Sequence, residues 1–369
     1  MASNNKKLRI AAFDTTWAPF PLPGDFPRPL APLIIALDIA EGLAKKGHDV
    51  SFFGPKGSYS NNFRAVALDF EPLYKNPIWE MANLRGTERE KIATIFDQYV
   101  LSKIFQEHQK IPFDIIHIHP VDRVLPFAPL FSDTPIVSTL HDPIYDWRGE
   151  IFKMLSATNM HLISISDAQR KPAPSLNYAA TVYNGIRIDQ FSFSDKIGDY
   201  LFFAGRLQEN KGVYEAIQVA KMTNSKLLIA GSPNEGKYWE EKIKPNLNDD
   251  IQYLGLVPYE KLADYYKNAK AVLFPILWEE PFGLVMTESM ACGTPVVAFR
   301  RGSVPEVIID GKTGFIVDNV AEMVKAVKKI DTINRQDCRD HVEKNFSIKN
   351  MVDGYEKLFL KLAKGKSNS

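Results

Sequence analysis

Residues 200–223 read YLFFAGRLQENKGVYEAIQVAKMT. A short apolar run closes on Gly205, a polar loop carries Arg206 and Lys211, and from Val213 the apolar residues recur at helical spacing. This is a strand feeding a helix through a short loop, the repeating half of a parallel-sheet unit. Toward the C-terminus the strand candidates KLLIAG, IQYLGL, AVLFPI, PVVAF and GFIV follow, with helical segments EKLADYYKNA and FGLVMTESMACG among them. Toward the N-terminus an earlier series contains LRIAAFD, DVSFFG, DIIHIH, PIVSTLH, HLISIS and TVYNG. Within that series LAPLIIALDIAEGLAKKG reads as a helix closed by Gly47, and a second helix covers residues 87–109. Such alternation implies parallel sheets covered by helices on both faces, and here the alternation starts twice. The sequence therefore predicts an α/β chain of two Rossmann-like domains, residues 1–190 and 191–349. The polar, weakly periodic stretch NGIRIDQFSFSDKIGDY joins them, and a terminal helix over residues 350–369 packs back on the first domain. Ligands of such sheets bind outside the carboxyl ends of the strands, which makes the cleft between the domains the expected site.

Composition bounds the function. A length of 369 residues suits roughly two domains, and 45% hydrophobic content excludes disordered and collagen-like readings. Lys and Arg number 45 against 44 Asp and Glu, so no global field exists to hold a nucleic acid, and any anion site must be local. The two cysteines, Cys292 and Cys338, form no CxxC, which disfavours a cysteine zinc site or disulfide framework and fits a reducing compartment. The opening MASNNKKLRIAAFD has no long apolar stretch of a secretory signal, and no run approaches a membrane span. The expectation is a cytoplasmic protein that could touch a membrane peripherally. Lys357, Lys361, Lys364 and Lys366 would dock on anionic lipid, or simply form a solvated helix face.

Two motifs in the second half carry chemistry. In EEPFGLVMTE, the sequence runs from Glu279 and Glu280 through a helix start near Gly283 to Glu288. The unused N–H groups at such a start form an anion site. A carboxylate at Glu288 can accept two hydrogen bonds from a vicinal diol such as a ribose, and one at Glu280 can hold a sugar hydroxyl. The bland alternative is a capped helix whose acidic first turns suit the macrodipole. In FFAGRLQENKG, Arg206 and Lys211 lie five residues apart across a strand-to-helix loop. They can converge on one pyrophosphate, each charge-assisted bond contributing about 1.5–3 kcal/mol, or stand apart as surface cations worth little. In the first half, DIIHIHP places His117 and His119 on one strand face. Zinc needs a third protein ligand, and none presents itself, so one packed and one cleft-facing histidine is the plainer reading. His141 and Asp142 close the strand of STLHDP, as structural residues or as partners of sugar hydroxyls. Ser166 reads as a helix cap and Asn184 as a residue near the hinge.

Together the Gly-Arg…Lys-Gly pair and the Glu-x7-Glu spacing, in this order and separation, resemble the family 4 glycosyltransferases. These are retaining enzymes of the GT-B fold, with two Rossmann-like domains whose sheets face an interdomain cleft. The segment EEPFGLVMTESMACGTPVVAFRRGSVPEVIIDGKTGFIV is similar to that family's donor-binding core throughout its length. The resemblance implies that Arg206 and Lys211 neutralise the diphosphate of a nucleotide sugar beside Gly205. It implies that Glu288 binds the ribose and Glu280 the sugar hydroxyls, near the amides of Gly283, Leu284 and Val285. Gly255, Leu256 and Val257 would flank the base. His119, with His141, would line the pocket for the acceptor and the donor sugar. Departure of a nucleoside diphosphate develops negative charge that fixed cations and amides stabilise. With no Asp-x-Asp anywhere, neither catalytic metal nor other cofactor is expected.

One departure from the family concerns the loop after the first strand. Many relatives carry a glycine-rich loop there. Here WAPFPLPGDFPRPLAP has a single glycine, Gly24, among prolines that withhold backbone donors. The loop reads as a stiff acceptor-side wall, with Asp25 and Arg28 offering side chains. The leading function is hexosyl transfer from a nucleoside diphosphate sugar, UDP-hexose preferred, to a hydroxyl of a sugar, small molecule or lipid-linked acceptor. The competing readings are an epimerase or phosphorylase on the same fold and a non-catalytic sugar-nucleotide binder. A nicotinamide dehydrogenase is disfavoured, because no GxGxxG follows any strand.

Overall fold

Strands RIAAF and YLFFA, buried along nearly their whole length, each sit at the middle of a parallel sheet, which is why their apolar runs are continuous rather than alternating. The computed structural model describes residues 6–24, 26, 30–81, 86–232 and 236–365; Asp25, Arg28 and Lys366 lie outside these. The chain divides into two compact units. The first comprises the described residues through Ile165, then Pro172–Val182 and Met351 onward; the second comprises Ser166–Lys171 and Tyr183–Asn350.

In the first unit β1 (Arg9–Phe13), β2 (Asp49–Gly54), β3 (Arg64–Ala67), β4 (Ile115–Ile118), β5 (Ile136–Thr139), β6 (Met160–Ser164) and β7 (Tyr178–Thr181) form one sheet. Its order is β3-β2-β1-β4-β5-β6-β7, with all neighbours parallel. β1 therefore pairs with β2 on one side and β4 on the other, so the direction of winding reverses between β1 and β4. In the second unit β8 (Tyr200–Ala204), β9 (Lys226–Ala230), β10 (Ile251–Gly255), β11 (Ala269–Phe274), β12 (Val296–Phe299) and β13 (Gly314–Val317) follow the same plan. The order β10-β9-β8-β11-β12-β13 puts the reversal between β8 and β11. At such a switch point the loops leaving adjacent strands diverge to opposite faces and open a crevice at the carboxyl edge.

Helices cover the sheets as periodicity predicts. Ala31–Lys45 buries Leu33, Ile35, Ala36, Ile39, Ala40 and Leu43 along one stripe. The last helix, Ile348–Gly365, buries Val352, Tyr355, Phe359 and Ala363 in the first unit, while Lys357, Lys361 and Lys364 share its exposed face. Its Tyr355 hydroxyl lies 2.9 Å from Thr139 Oγ1, and Glu356 meets Lys46 at 2.8 Å. Among the described residues no helix is long and apolar enough to cross a membrane. Cys292 and Cys338 are buried and free.

The elements depart from the sequence reading in three places. RAVA forms β3, an edge strand of four half-exposed or exposed residues, too short and too mixed to carry a period. β7 lies at Tyr178–Thr181, ahead of the TVYNG segment. The second unit begins at Tyr183 rather than near residue 190, because this stretch packs there. Tyr183 packs against Phe282 and Phe346, and Ile186 N–H donates to Phe346 O at 2.9 Å. Ser166 Oγ accepts from Gln169 N–H at 3.1 Å, as a cap does, and the following amides of Asp167 and Ala168 donate to Glu306.

Candidate functional site

In the second unit two loops border the crevice between β8 and β11. The first leaves β8 through Gly205 and Arg206, makes a 3-10 turn at Glu209–Lys211, and enters the helix Val213–Thr223 at Gly212. The second leaves β11 through Pro275 and carries Trp278, Glu279 and Glu280 to the helix Leu284–Ala291, capped by Gly283. Gly212 lets the loops meet: it adopts φ +72°, and a Cβ there would stand 1.8 Å from Pro275 O.

That approach brings Lys211 and Glu280 together across 69 positions of sequence. Lys211 Nζ lies 2.5 Å from Glu280 Oε2 and 4.5 Å from the centre of the Trp278 ring, and Trp278 Nε1–H donates to the same carboxylate oxygen at 2.9 Å. The ammonium is thus held between a carboxylate and an aromatic face, both contributing attraction. Arg206 is exposed, and among the described residues no carboxylate pairs with it. The N–H groups of Gly283, Leu284 and Val285 have no acceptor among the described residues; the first N–H used is that of Met286, bonding Gly283 O at 3.0 Å. One exposed guanidinium, one clamped ammonium and three open amides at a helix start are groups that can bind an anion. A loop after β12 braces it: Gly302 N–H donates to Glu279 at 2.6 Å and Ser303 N–H to Glu280 O at 3.0 Å.

Glu288 occupies the next turn of the same helix and is buried. Its oxygens accept from Tyr259 OH at 3.2 Å and Tyr266 OH at 2.9 Å. Burial raises its pKa, and the two tyrosine hydroxyls act against that. Two of the carboxylate's roughly four acceptor positions remain for a ligand. Tyr259 begins the helix that follows Gly255, Leu256 and Val257, so this segment and Glu288 are joined through one side chain. Sequence reasoning missed Trp278, Tyr259 and Tyr266. Trp278 sits beside Glu280 just past a strand end, a position that itself marks a site residue.

In the first unit the corresponding crevice lies between β1 and β4. Asp14 follows β1, His119 follows β4 and His141 follows β5, so three strand ends deliver three polar groups to one place. One ligand-type atom from each lies within 4.8 Å of the others. His119 Nδ1 is 2.7 Å from His141 Nε2, a hydrogen-bond separation in which one imidazole donates to the other. His117 packs its ring against that of His119, with centroids 4.3 Å apart, and against Tyr355 and Phe359, but its Nε2 is taken up 2.9 Å from Thr139 Oγ1. A third group beside His119 does exist, then, but it is Asp14, from the opposite end of the domain's sequence; His117 takes no part. Gly24 is exposed and does not line the cavity that these groups border, whereas Leu30, at the cap of the helix Ala31–Lys45, and Pro32, in its first turn, do. Phe20, in the same segment as Gly24, is buried edge-on against Phe52 at 4.9 Å.

Electrostatics here follow burial. Asp14 is pushed up to about 7, first by burial and then by the charges of Asp97 and Asp142. Asp97 rises to about 6 by burial, opposed by Thr16 and Arg123. Burial lowers His117 to about 3, His141 to about 4 and His119 well below its ordinary value, so all three are neutral near pH 7. Asp14 binds its proton more tightly folded than unfolded. Its stabilising contribution is complete below about pH 4 and is lost as pH rises through about 7. The histidines, more readily protonated when unfolded, work in the opposite sense at the acid end. The informative quantity is therefore the difference between wild type and Asp14→Asn, followed by denaturant unfolding. The variant should gain about 2–3 kcal/mol on the wild type between roughly pH 5 and pH 8. A difference that stays flat would show that Asp14 does not titrate there.

Two doubly wound parallel-sheet units, each with polar residues gathered at its switch point, have the architecture of the GT-B fold. Residues 187–346 match the family described as glycosyl transferases group 1, and residues 34–190 match glycosyltransferase family 4. An uncharacterised glycosyltransferase of Methanocaldococcus jannaschii is 33% identical over 313 residues, spanning 73% of this chain and 76% of that one. Sucrose-phosphate synthase from Thermosynechococcus elongatus aligns with a TM-score of 0.76 at 18% identity, over 97% of this chain and 100% of the other. An Anabaena protein solved with UDP-glucose aligns at 0.67 and 14% identity, over 98% and 100%. The chain belongs to the family 4 glycosyltransferases, and it is a glycosyltransferase.

Proposed function

We propose that the protein transfers a hexosyl group from a nucleoside diphosphate sugar, UDP-hexose first, to an acceptor hydroxyl with retention of configuration and without a metal ion. The observation that carries this reading is the set of anion-binding groups at the β8/β11 crevice. Arg206 and Lys211 stand on the loop that leaves β8, the amides of Gly283, Leu284 and Val285 on the loop that leaves β11, and together these groups match the charge of a diphosphate. Glu288, one helical turn on, has acceptor capacity for a ribose diol. A structural neighbour that binds UDP-glucose supports UDP-hexose as the first donor to try.

Chemistry follows from the charges. When the donor enters, Lys211 exchanges Glu280 for phosphate oxygen, and the released carboxylate accepts from a hydroxyl of the donor sugar. The bond between the anomeric carbon and the phosphate oxygen then breaks, and the charge that develops meets fixed cations and amides. The acceptor oxygen bonds to the same face of the anomeric carbon while its proton passes to the departing phosphate oxygen. The products are the glycoside and the nucleoside diphosphate. A double displacement through Glu280 or Glu288 fits poorly. Glu280, once released by Lys211, still accepts from Trp278 and takes a sugar hydroxyl, and Glu288 is buried beneath two tyrosines.

A thermal-shift screen of UDP, GDP and ADP and their sugars tests the donor, since a ligand that binds only the folded state raises its stability by mass action. Stabilisation by none of them would remove the reading. Donor incubated without acceptor should keep its sugar unepimerised, and activity should survive a chelator; activity lost to the chelator and restored by a divalent ion would overturn the metal-free mechanism. Glu288→Gln should weaken UDP binding about 10- to 100-fold by calorimetry, the equivalent of about 1.4–2.8 kcal/mol. Unchanged affinity would take Glu288 out of nucleotide recognition.

A further inference from the structure

The first unit's crevice opens into a cavity of about 300 Å³, at the small end of the range for small-molecule sites and sized for a sugar ring rather than a polymer. Its walls carry five carboxyl groups and two guanidinium groups among the described residues. Both guanidinium groups are already engaged by the cavity's own acids. Arg148 makes a fork to Asp122, with Nε to Oδ1 at 3.1 Å and Nη2 to Oδ2 at 2.7 Å. Arg123 bonds Glu90 and stands 3.4 Å from Asp97. The neighbouring histidines are held uncharged by burial. Two polar groups remain unused. Asp14 is only 8% exposed and lines the cavity, yet makes no hydrogen bond or ion pair among the described residues. Nε2 of His119, also on the lining, is buried with no hydrogen-bond partner among the described residues.

We propose that this cavity receives the acceptor and selects it by charge: the sugar is transferred to an uncharged polyol, not to a phosphorylated or carboxylated one. The inference rests on the glycosyltransfer proposed above and adds the acceptor's chemical class. Hydroxyl groups satisfy what the cavity leaves open, since an O–H can donate to Asp14 and a lone pair can accept from His119 if its Nε2 carries the proton. An anionic group finds no uncommitted cation among the described residues. It would have to break the Arg148–Asp122 fork and lie within a few ångströms of Asp14 and Asp97. Near pH 8, where Asp14 has lost its proton, an anion placed beside it either meets that charge or must restore the proton, which disfavours binding by about tenfold or more.

The test uses the full chain loaded with the nucleoside diphosphate that the thermal screen selects. It offers matched pairs differing by one anionic group: methyl glucoside against glucose 6-phosphate, and inositol against inositol 1-phosphate. Ligand-observed saturation-transfer NMR reads binding without requiring turnover. At pH 8 the uncharged member of each pair should bind at least about tenfold more tightly. Asp122→Asn, a change at a half-exposed side chain, should narrow that ratio by releasing Arg148, and His119→Ala should weaken both uncharged ligands. Equal or tighter binding of the phosphorylated members, or binding by no member of either pair, overturns the inference. If no nucleotide binds, the donor proposal fails by itself, while the same pairs, offered without nucleotide, still report on the cavity.

Discussion

Lys211→Ala is expected to lower turnover by about 10³-fold while shifting the thermal midpoint by no more than a few degrees. Loss of one preorganised donor to a developing anion costs about 10²–10³ in rate, and an ammonium held in place is a stronger donor than a neutral amide. The loss also strips Glu280 of its cation, although the Trp278 N–H continues to hold that carboxylate at 2.9 Å. Stability changes little because Lys211 lies at the rim of the unit, in a three-residue turn that buries none of its residues. Arg206→Ala should fall by a similar factor and leave stability unchanged, since its exposed guanidinium pairs with no carboxylate among the described residues. Glu280→Gln separates the two contributions. It retains the Trp278 contact but frees Lys211, so it should impair sugar recognition more than nucleotide affinity. Steady-state kinetics of the three variants decide the matter. Turnover within a few-fold of wild type for both Lys211→Ala and Arg206→Ala would remove the pair from the leaving-group role.

The second large effect is on folding. Gly212→Ala should destabilise the protein by at least about 3 kcal/mol, because the added carbon would overlap Pro275 O at 1.8 Å and Pro275 C at 2.7 Å at a backbone angle of +72°. Neither atom belongs to a side chain that can swing away, so relief requires moving the loop after β11 and with it Glu280. For a unit of this size the change corresponds to a fall of about 6–12 °C in midpoint. Gly255→Ala is the control. Its φ of +74° is just as left-handed, but a Cβ there meets nothing within 4 Å. It should cost only the intrinsic penalty of about 1–2 kcal/mol. Calorimetric midpoints that are the same for both variants would show that the close approach of the two loops is not what Gly212 provides.

The residues that border the β8/β11 crevice were largely legible in the sequence. Gly205, Arg206, Lys211, Glu280 and Glu288 all stand within a few residues of a strand end or helix start, and those boundaries show in local periodicity. The pairing of Lys211 with Glu280 was not visible, and neither was the clamp of Tyr259 and Tyr266 on Glu288. Both depend on how far apart two loops or helices finally sit. The first unit was less legible. His119 and His141 stood out as polar residues closing apolar runs. Asp14 closes the run LRIAAFD in the same manner, yet an aspartate at a strand end is too common to single out. Only the adjacency of β1 and β4 brings it to His119.

The sequence by itself therefore determined the local elements, the two-fold repetition of the α/β plan and the residues at the edges of its strands. Those features follow from side-chain alternation and helical spacing over a few residues. Strand order belonged to the tertiary structure. Once β1 lies beside β4 and β8 beside β11, groups separated by about a hundred residues become neighbours, burial sets the charge of Asp14 and its histidines, and Lys211 finds Glu280. Neighbouring strands are chosen by crossover packing and by the burial of whole sheet faces, energies that no short window of sequence contains.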